Sequence, residues 1–259
     1  MLNLTRKLII IILFSSLPAA WAQFGPPQPA TEAGRRVQAL LSSEDRSETA
    51  KESDRTRLPM QTLEFFGLEP DMKVIEFIPA GGYYTEILAH ALAGKGELHL
   101  LGYGANQAAD YQKRGMKHVK AIAQEAMTMS PSGQPGIFIL EKIDVPIKGA
   151  DMFLTFRNEH NISVETRPRL HKAVFNMLKP GGIYGIIDHT KRHNEPFTRE
   201  TWRRLDPVKI IKEVEAAGFE FVDYSSLHYR PDDELKYDTT RPSINRYSDR
   251  FTLKFRKPE

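Results

Sequence analysis

The residues of this 259-residue chain best suited to chemistry are two histidines, two adjacent glycines and a few polar neighbours. His160 stands in Arg157-Asn158-Glu159-His160-Asn161, and His189 follows Asp188. An imidazole titrates near neutral pH and can take a proton from a bound group, or simply hold a loop by hydrogen bonding. Arg157 and Asn158 can grip a carboxylate or fix the loop in which they stand. Gly81-Gly82 ends the stretch Ile78-Pro79-Ala80-Gly81-Gly82; with no Cβ in the way and positive φ accessible, the backbone there can approach a ligand closely. Asp188, His189 and His193 offer nitrogen and oxygen ligands, but the set is incomplete and no metal is expected. There is no cysteine, which removes thiolate nucleophiles, thiolate metal sites and disulfides.

These residues need strand ends and turns to hold them. Pro59 to Phe66 reads as a helix closed by Gly67, and Lys73 to Ile78 is an apolar run short enough for a buried strand. The glycine turn leads into a helix over Tyr83 to Leu92, ended by Gly94. GELHLLGYG reads as a second strand, Gln107 to Arg114 as a short helix, GIFILEKI as a third strand and ADMFLTF as a fourth. RPRLHKAVFNMLKPGGIYGIIDH is a helix closed by Lys179-Pro180-Gly181-Gly182, then a strand reaching Asp188-His189. A helix over Pro207 to Ala217, the strand FEFVDYSS and a last strand RFTLKFRK complete the pattern. Alternating strands and helices with short links predict a doubly wound, mostly parallel seven-stranded α/β sheet. Ligands of such sheets bind beyond the carboxyl ends of the strands, so the turn after the first strand is the expected platform. It lacks Gly-x-Gly-x-x-Gly, which excludes a dinucleotide fingerprint.

The start of the chain has the form of a secretory signal. Arg6 and Lys7 precede an apolar run from Leu8 to Leu17, and Ala20-Trp21-Ala22 is a small-x-small cleavage site. The run is short for a bilayer span, so residues 1–22 are expected to be removed, leaving no stable membrane anchor and an exported, periplasmic protein. Residues 23–54 read as a Pro- and Gly-rich tether followed by a helical arm, whose run SSEDRSETAKESDR suggests a solvated face. Residues 55–259 form the main domain. The formal charge of the whole chain is +3; removing two leader cations leaves it nearly neutral, with no electrostatic footprint for nucleic acid. Residues 227–248, with Tyr229, Arg230, Tyr237, Arg241, Arg246 and Tyr247, read as a lid over an acceptor pocket, its arginines suited to an anion.

The run VIEFIPAGGYYTEILA resembles the first motif of class I S-adenosylmethionine-dependent methyltransferases, where an acidic residue at the strand end precedes a Gly-x-Gly-x-Gly turn; Glu76 takes the acidic place. LKPGGIYGIID resembles the fifth-strand motif of that superfamily, and GADMFLTFRNEHN its fourth strand. More narrowly, RNEHN, Tyr83-Tyr84 and SDRFTLKFRK are similar to a group of signal-bearing bacterial predicted methyltransferases. The resemblance covers the chain from roughly Arg55 to Lys257. It implies S-adenosylmethionine as cofactor and a small-molecule or peptide-like acceptor. Glu76, Ile78, Ala80, Gly81, Gly82 and Tyr84 would hold the cofactor, with Tyr103, Glu141, Arg157 and Asn158 beside them. His160 or His189 would help to remove the acceptor's proton.

Two departures from that pattern matter physically. Ile78 and Ala80 stand where glycines usually stand, and a branched side chain at Ile78 is expected to crowd the cofactor. The second strand ends in Gly102, Tyr103 and Gly104, where a carboxylate usually accepts both ribose hydroxyls. Loss of that contact costs about 1.5–3 kcal/mol, roughly ten- to a hundred-fold in affinity. Both departures favour an alternative, a non-catalytic envelope protein that keeps the fold and binds another ligand.

Overall fold

The computed structural model describes residues 27–244 and 246–259; the expected leader, residues 1–22, lies outside the described residues. Three helices come first, α1 (Glu32–Leu41), α2 (Glu48–Arg57) and α3 (Pro59–Phe66). The Thr31 hydroxyl accepts the Gly34 amide at 2.9 Å and Ser47 does the same for Ala50 at 3.2 Å, so both arm helices start on side-chain caps. Pro59 disfavours helical geometry at Leu58, which turns left-handed with φ 42° and separates α2 from α3.

The alternating part runs β1 (Lys73–Phe77), α4 (Tyr83–Ala91), β2 (Glu97–Leu101), α5 (Ala105–Lys113), β3 (Val119–Ala121), β4 (Met127–Pro131), β5 (Phe138–Ile143) and β6 (Ala150–Phe156). It continues with α6 (Arg167–Met177), β7 (Leu178–Thr190), β8 (Arg204–Leu205), α7 (Pro207–Ala216), β9 (Glu220–Tyr224) and β10 (Arg250–Arg256). The main sheet has the order β3-β2-β1-β6-β7-β10-β9, with β8 paired to the end of β7. Every pairing is parallel except those of β10, which is antiparallel to β7 and β9. The doubly wound, mostly parallel α/β sheet of seven principal strands is therefore present, with the helical arm at its N-terminal side.

Both sheet faces are covered, which is why β1 and β6 read as continuous apolar runs rather than alternating ones. Leu170, Val174, Ile210 and Val214 of α6 and α7 pack against Ile75, Phe153 and Tyr184 on one face. Val37, Leu63, Ile87 and Leu88 of α1, α3 and α4 pack against Val74, Leu98 and Leu154 on the other. The arm is thus part of the core through α1. Among the described residues no helix is long and apolar enough to cross a membrane.

Two expectations need correction. GIFILEKI does form a strand, β5, but it pairs antiparallel with β4 in a separate two-stranded sheet. The third place beside β2 is taken by the three residues of β3. An apolar run specifies burial but not which partner covers it. The expected break at Lys179-Pro180-Gly181-Gly182 is absorbed into β7, whose register against β6 slips between Ala150 and Met152. An irregular pairing thus accommodates the left-handed Gly181, φ 73°.

Candidate functional site

Chain order reverses at β1, which lies between β2 and β6. A cavity of about 560 Å³ opens there at the carboxyl ends of the strands, within the usual size range of small-molecule sites. Its lining includes Glu76, Ile78, Ala80, Gly81, Gly82 and Tyr84, and from β6 onward Arg157 and Asn158. A Cβ built on Gly81 would meet nothing within 4 Å, so the turn presents bare backbone to open space.

Glu76 is fully buried and accepts the Thr85 hydroxyl at 2.7 Å. Burial pushes its carboxyl up to about 7, with the Thr85 hydrogen bond opposing. Tyr84 both packs and lines: its ring stacks on Phe156 at 3.6 Å between centroids, and its hydroxyl donates to the Arg57 carbonyl. Asn158 serves the turn rather than open space, because its amide nitrogen donates to the carbonyls of Phe77 and Ile78 at 3.1 and 3.0 Å and to Phe156 at 3.2 Å. Gln107 of α5 donates to Ala80 at 2.5 Å and tightens the turn from the other side.

The turn is left-handed at Ile78 (φ 49°), Ala80 (φ 48°) and Gly82 (φ 78°). A β-branched residue rarely adopts such geometry, which costs of order 1–3 kcal/mol unless the surroundings enforce it. The Ile78 side chain packs against the core cluster that contains Met127. Its Cγ1 would lie 3.3 Å from a Cβ on Gly102, and the Met127 methyl only 2.6 Å away. Ile78 thus leans in part under the end of β2 while it also lines the cavity. The two departures in the sequence are physically linked: a side chain at residue 102 would meet the Met127 methyl first and the Ile78 Cγ1 next. Gly102→Asp alone is expected to destabilise the protein by about 1–3 kcal/mol through overpacking and a left-handed backbone. The loss should be smaller in an Ile78→Gly background; urea melts of the four proteins read this coupling, and simple additivity would refute it.

A second cavity, of about 650 Å³, adjoins the ends of β6 and β7. His160 lines it, with Trp202, Phe197, Ile137 and Ile139 among the apolar neighbours and Lys191, Arg204 and Asp206 among the polar ones. The β4–β5 hairpin thus has a place, since Ile137 and Ile139 make one wall of this cavity. Asp188, with no exposure, receives the His160 Nδ1 at 2.7 Å and the His160 backbone amide at 3.1 Å. A carboxylate only accepts, so Nδ1 carries the hydrogen, and Nε2 is the ring atom left to exchange a proton with a ligand.

His189 is set apart from this arrangement. It lines neither cavity, its Nδ1 meets the Ser248 hydroxyl at 2.8 Å, and burial, helped by the charges of His160, Arg250, Arg157 and Arg204, holds its pKa well below the usual range. Ligand-type atoms of His160, Asp188 and His189 lie within 4.8 Å of one another, but the surrounding arginines oppose a cation there. His193 does not join them; it is half-exposed and pairs with Asp206 at 2.9 Å.

Tyr103 and Glu141 stand away from the first cavity. Tyr103 is 65% exposed and points outward from a left-handed turn after β2. Glu141 lies on the outlying β5 and receives the Ser130 hydroxyl at 2.5 Å, so it never reaches the carboxyl edge of the main sheet. The described residues of the 227–248 segment line neither cavity, contrary to the lid expected of it. It straps the arm to the sheet instead: His228 bridges Thr252 at 2.7 Å and the Arg57 carbonyl at 2.9 Å, and Asp233 pairs with Arg204 at 2.9 Å. Residues that sequence reasoning passed over are Ser53 and Arg57 of α2, Gln107 of α5 and Arg114 at its C-terminal end, all lining the first cavity. Their signal was faint, small and charged residues at helical spacing inside a polar run.

The β3-β2-β1-β6-β7-β10-β9 order, with one antiparallel strand next to the edge, and a cavity at the β1 reversal decide the architecture. The chain has the class I methyltransferase fold. An S-adenosylmethionine-dependent methyltransferase from Aquifex aeolicus superposes with a TM-score of 0.52 at 18% identity, over 80% of this chain and 96% of that one. A Burkholderia thailandensis 1,6-didemethyltoxoflavin-N1-methyltransferase, solved with 1,6-didemethyltoxoflavin and S-adenosylhomocysteine, gives 0.54 at 14% over 91% and 94%. The (4+2)-cyclase SpnF gives 0.55 at 15% over 88% and 93%. No protein-family model and no curated protein matches the chain. The class I methyltransferase fold therefore carries more than one chemistry among these neighbours, and activity has to be argued from the site.

Proposed function

We propose that this chain is an exported S-adenosylmethionine-dependent methyltransferase that acts on a small or peptide-like acceptor. The reading is carried by one observation: beside a buried acid, the β1 turn offers bare backbone at Gly81 to an open cavity at the switch in strand order. Leader-like residues 1–22 support export to the periplasm.

The residues present fit such a cofactor. Gly81 and Gly82 leave room for close backbone approach, Glu76 can accept a hydrogen bond when ionised, and the Tyr84 ring forms an apolar wall. When bound, S-adenosylmethionine supplies an electrophilic methyl group on a sulfonium sulfur. The chain's own part is alignment and proton removal. Arg157 and Asn158 line the first cavity and His160 the second, so a single residue of one loop, Glu159, separates the linings of the two. Trp202 and the hairpin wall would orient an acceptor, and His160 Nε2, backed by Asp188, would take its proton.

Isothermal titration of the described domain with S-adenosylmethionine and S-adenosylhomocysteine tests the reading. Saturable heat, with dissociation constants in the micromolar to millimolar range, is the expected result. No heat with either at millimolar concentration removes the enzyme and leaves a ligand-binding protein that keeps the fold.

A further inference from the structure

Buried arginines in this protein usually have a carboxylate. Arg46 has Asp54 and Glu86, Arg167 has Glu213 at 2.6 Å, and Arg204 has Asp233 at 2.9 Å. The part-exposed Arg57 and Arg157 and the buried Arg250 form no ion pair among the described residues. Arg57 and Arg157 line the first cavity, and Arg250 is buried behind them at the end of β10, opposite His189. The Arg57 guanidinium lies 4.1 Å from the Tyr83 ring centre, while Arg250 donates only to the Thr56 and Arg246 carbonyls and its buried Nε has no partner. Rings and carbonyls carry no net charge, so three positive charges converge on one corner without neutralisation.

The cavity's own carboxylates are placed elsewhere. Glu86 is paired with Arg46, Asp110 with Lys113, and Glu76 is held by Thr85. The charges act on one another and on their neighbours. Burial and the Arg157 charge push Arg57 down to about 10 and Arg250 down to about 9, which leaves both charged at neutral pH. Burial, with the charges of Arg250, Arg230 and Arg157, pushes the neighbouring His228 down to about 4. Arg157 is also held at a left-handed φ of 63°, the kind of strain that persists where a site fixes a side chain's direction.

We propose that the Arg57–Arg157 corner of the first cavity, with the charge of the buried Arg250 close by, binds an oxyanion, a carboxylate or phosphate carried by a small ligand. A planar guanidinium fork suits either group. The inference stands on the charge of the cavity and does not require the methyl-transfer reading, so the two can fail separately. The anion has two possible sources, the methionine carboxylate of the cofactor or a group on another ligand.

The test compares S-adenosylhomocysteine, 5′-methylthioadenosine (the same thionucleoside without the amino-acid end that bears the carboxylate) and inorganic phosphate, by titration and thermal shift at constant ionic strength. Wild type, Arg157→Gln and Arg157→Lys are compared, with circular dichroism to check folding. Phosphate is expected to raise the melting temperature of wild type, and Arg157→Gln to weaken its binding by at least about tenfold. Arg157→Lys, which keeps the charge without the fork, should fall between, and decides the matter if the glutamine variant does not fold. S-adenosylhomocysteine binding tighter than methylthioadenosine, with the gap lost in Arg157→Gln, would support the corner as the seat of the cofactor carboxylate. Equal binding of the two nucleosides beside retained phosphate binding would support an anion on another ligand. Phosphate binding with no nucleoside binding would uphold the site while ending the cofactor reading. No phosphate effect together with equal nucleoside affinities, or an effect unchanged in both variants, would overturn the proposal.

Discussion

His160→Asn is expected to slow methyl transfer by about 10²–10⁴-fold, the usual contribution of a positioned base. The loss should fall on kcat, and S-adenosylhomocysteine affinity should barely move, because His160 lines the second cavity and not the first. Asp188→Asn should approach the same loss by another route. An amide nitrogen can donate to Nδ1, which would place the imidazole hydrogen on Nε2 and block it as an acceptor. Nitrogen-15 NMR of the imidazoles reads this without any acceptor: the Nδ1–H form of His160 in wild type, the Nε2–H form in Asp188→Asn. Asp188 also accepts the amides of His160 and His189 at 3.1 and 2.7 Å, so that variant should lose about 1–3 kcal/mol of stability as well. An Nε2–H tautomer in wild type, or full activity in His160→Asn, would remove the histidine from the chemistry.

Glu76→Gln should make the protein more stable and the site worse. In the folded protein the Glu76 carboxyl is pushed up to about 7 by burial, from an ordinary value of 4.5. Between those values the native state binds more protons than the unfolded one, so stability falls as pH rises through this window and the cost is complete above it. The size of the shift corresponds to about 3 kcal/mol. Urea melts should therefore show Glu76→Gln stabilised by up to about 3 kcal/mol at pH 8, with the difference fading toward pH 4.5. A buried ionised acid that costs stability is the kind of feature kept for binding. Affinity for S-adenosylhomocysteine should accordingly rise with pH toward 7 and level off above it, while the variant binds about ten- to a hundred-fold more weakly with a flat profile. Equal destabilisation of the variant at both pH values would show that Glu76 is instead ionised and satisfied by its neighbours.

Much of the frame was legible before any coordinates. Lys73–Phe77 is apolar enough to be buried on both faces, Gly67 and Gly94 mark helix ends, and the Pro207–Ala216 helix shows its amphipathic spacing plainly. Periodicity could not say that GIFILEKI leaves the main sheet, because a buried strand reads the same whichever partner covers it. Nor does a residue type declare the sign of φ: Ile78 looked like an obstruction, and only its left-handed backbone turns the side chain under β2 against Gly102. The His160–Asp188 pair joins residues 28 positions apart, a contact made by β6 lying beside β7. Arg57 stands just past a charged run that reads as solvated, whereas in the fold its guanidinium faces Tyr83 at the cavity. The strap from 227 to 248 misled in the opposite direction, since its arginines suggested a lid and it ties the arm down.

The most direct measurement is a crystal structure of the protein soaked with S-adenosylhomocysteine at millimolar concentration. The account predicts density for the nucleoside against the bare backbone of Gly81-Gly82, beside Glu76, with Ile78 still turned under β2. An empty β1 cavity in well-ordered crystals, or a nucleoside seated elsewhere on the molecule, would contradict it.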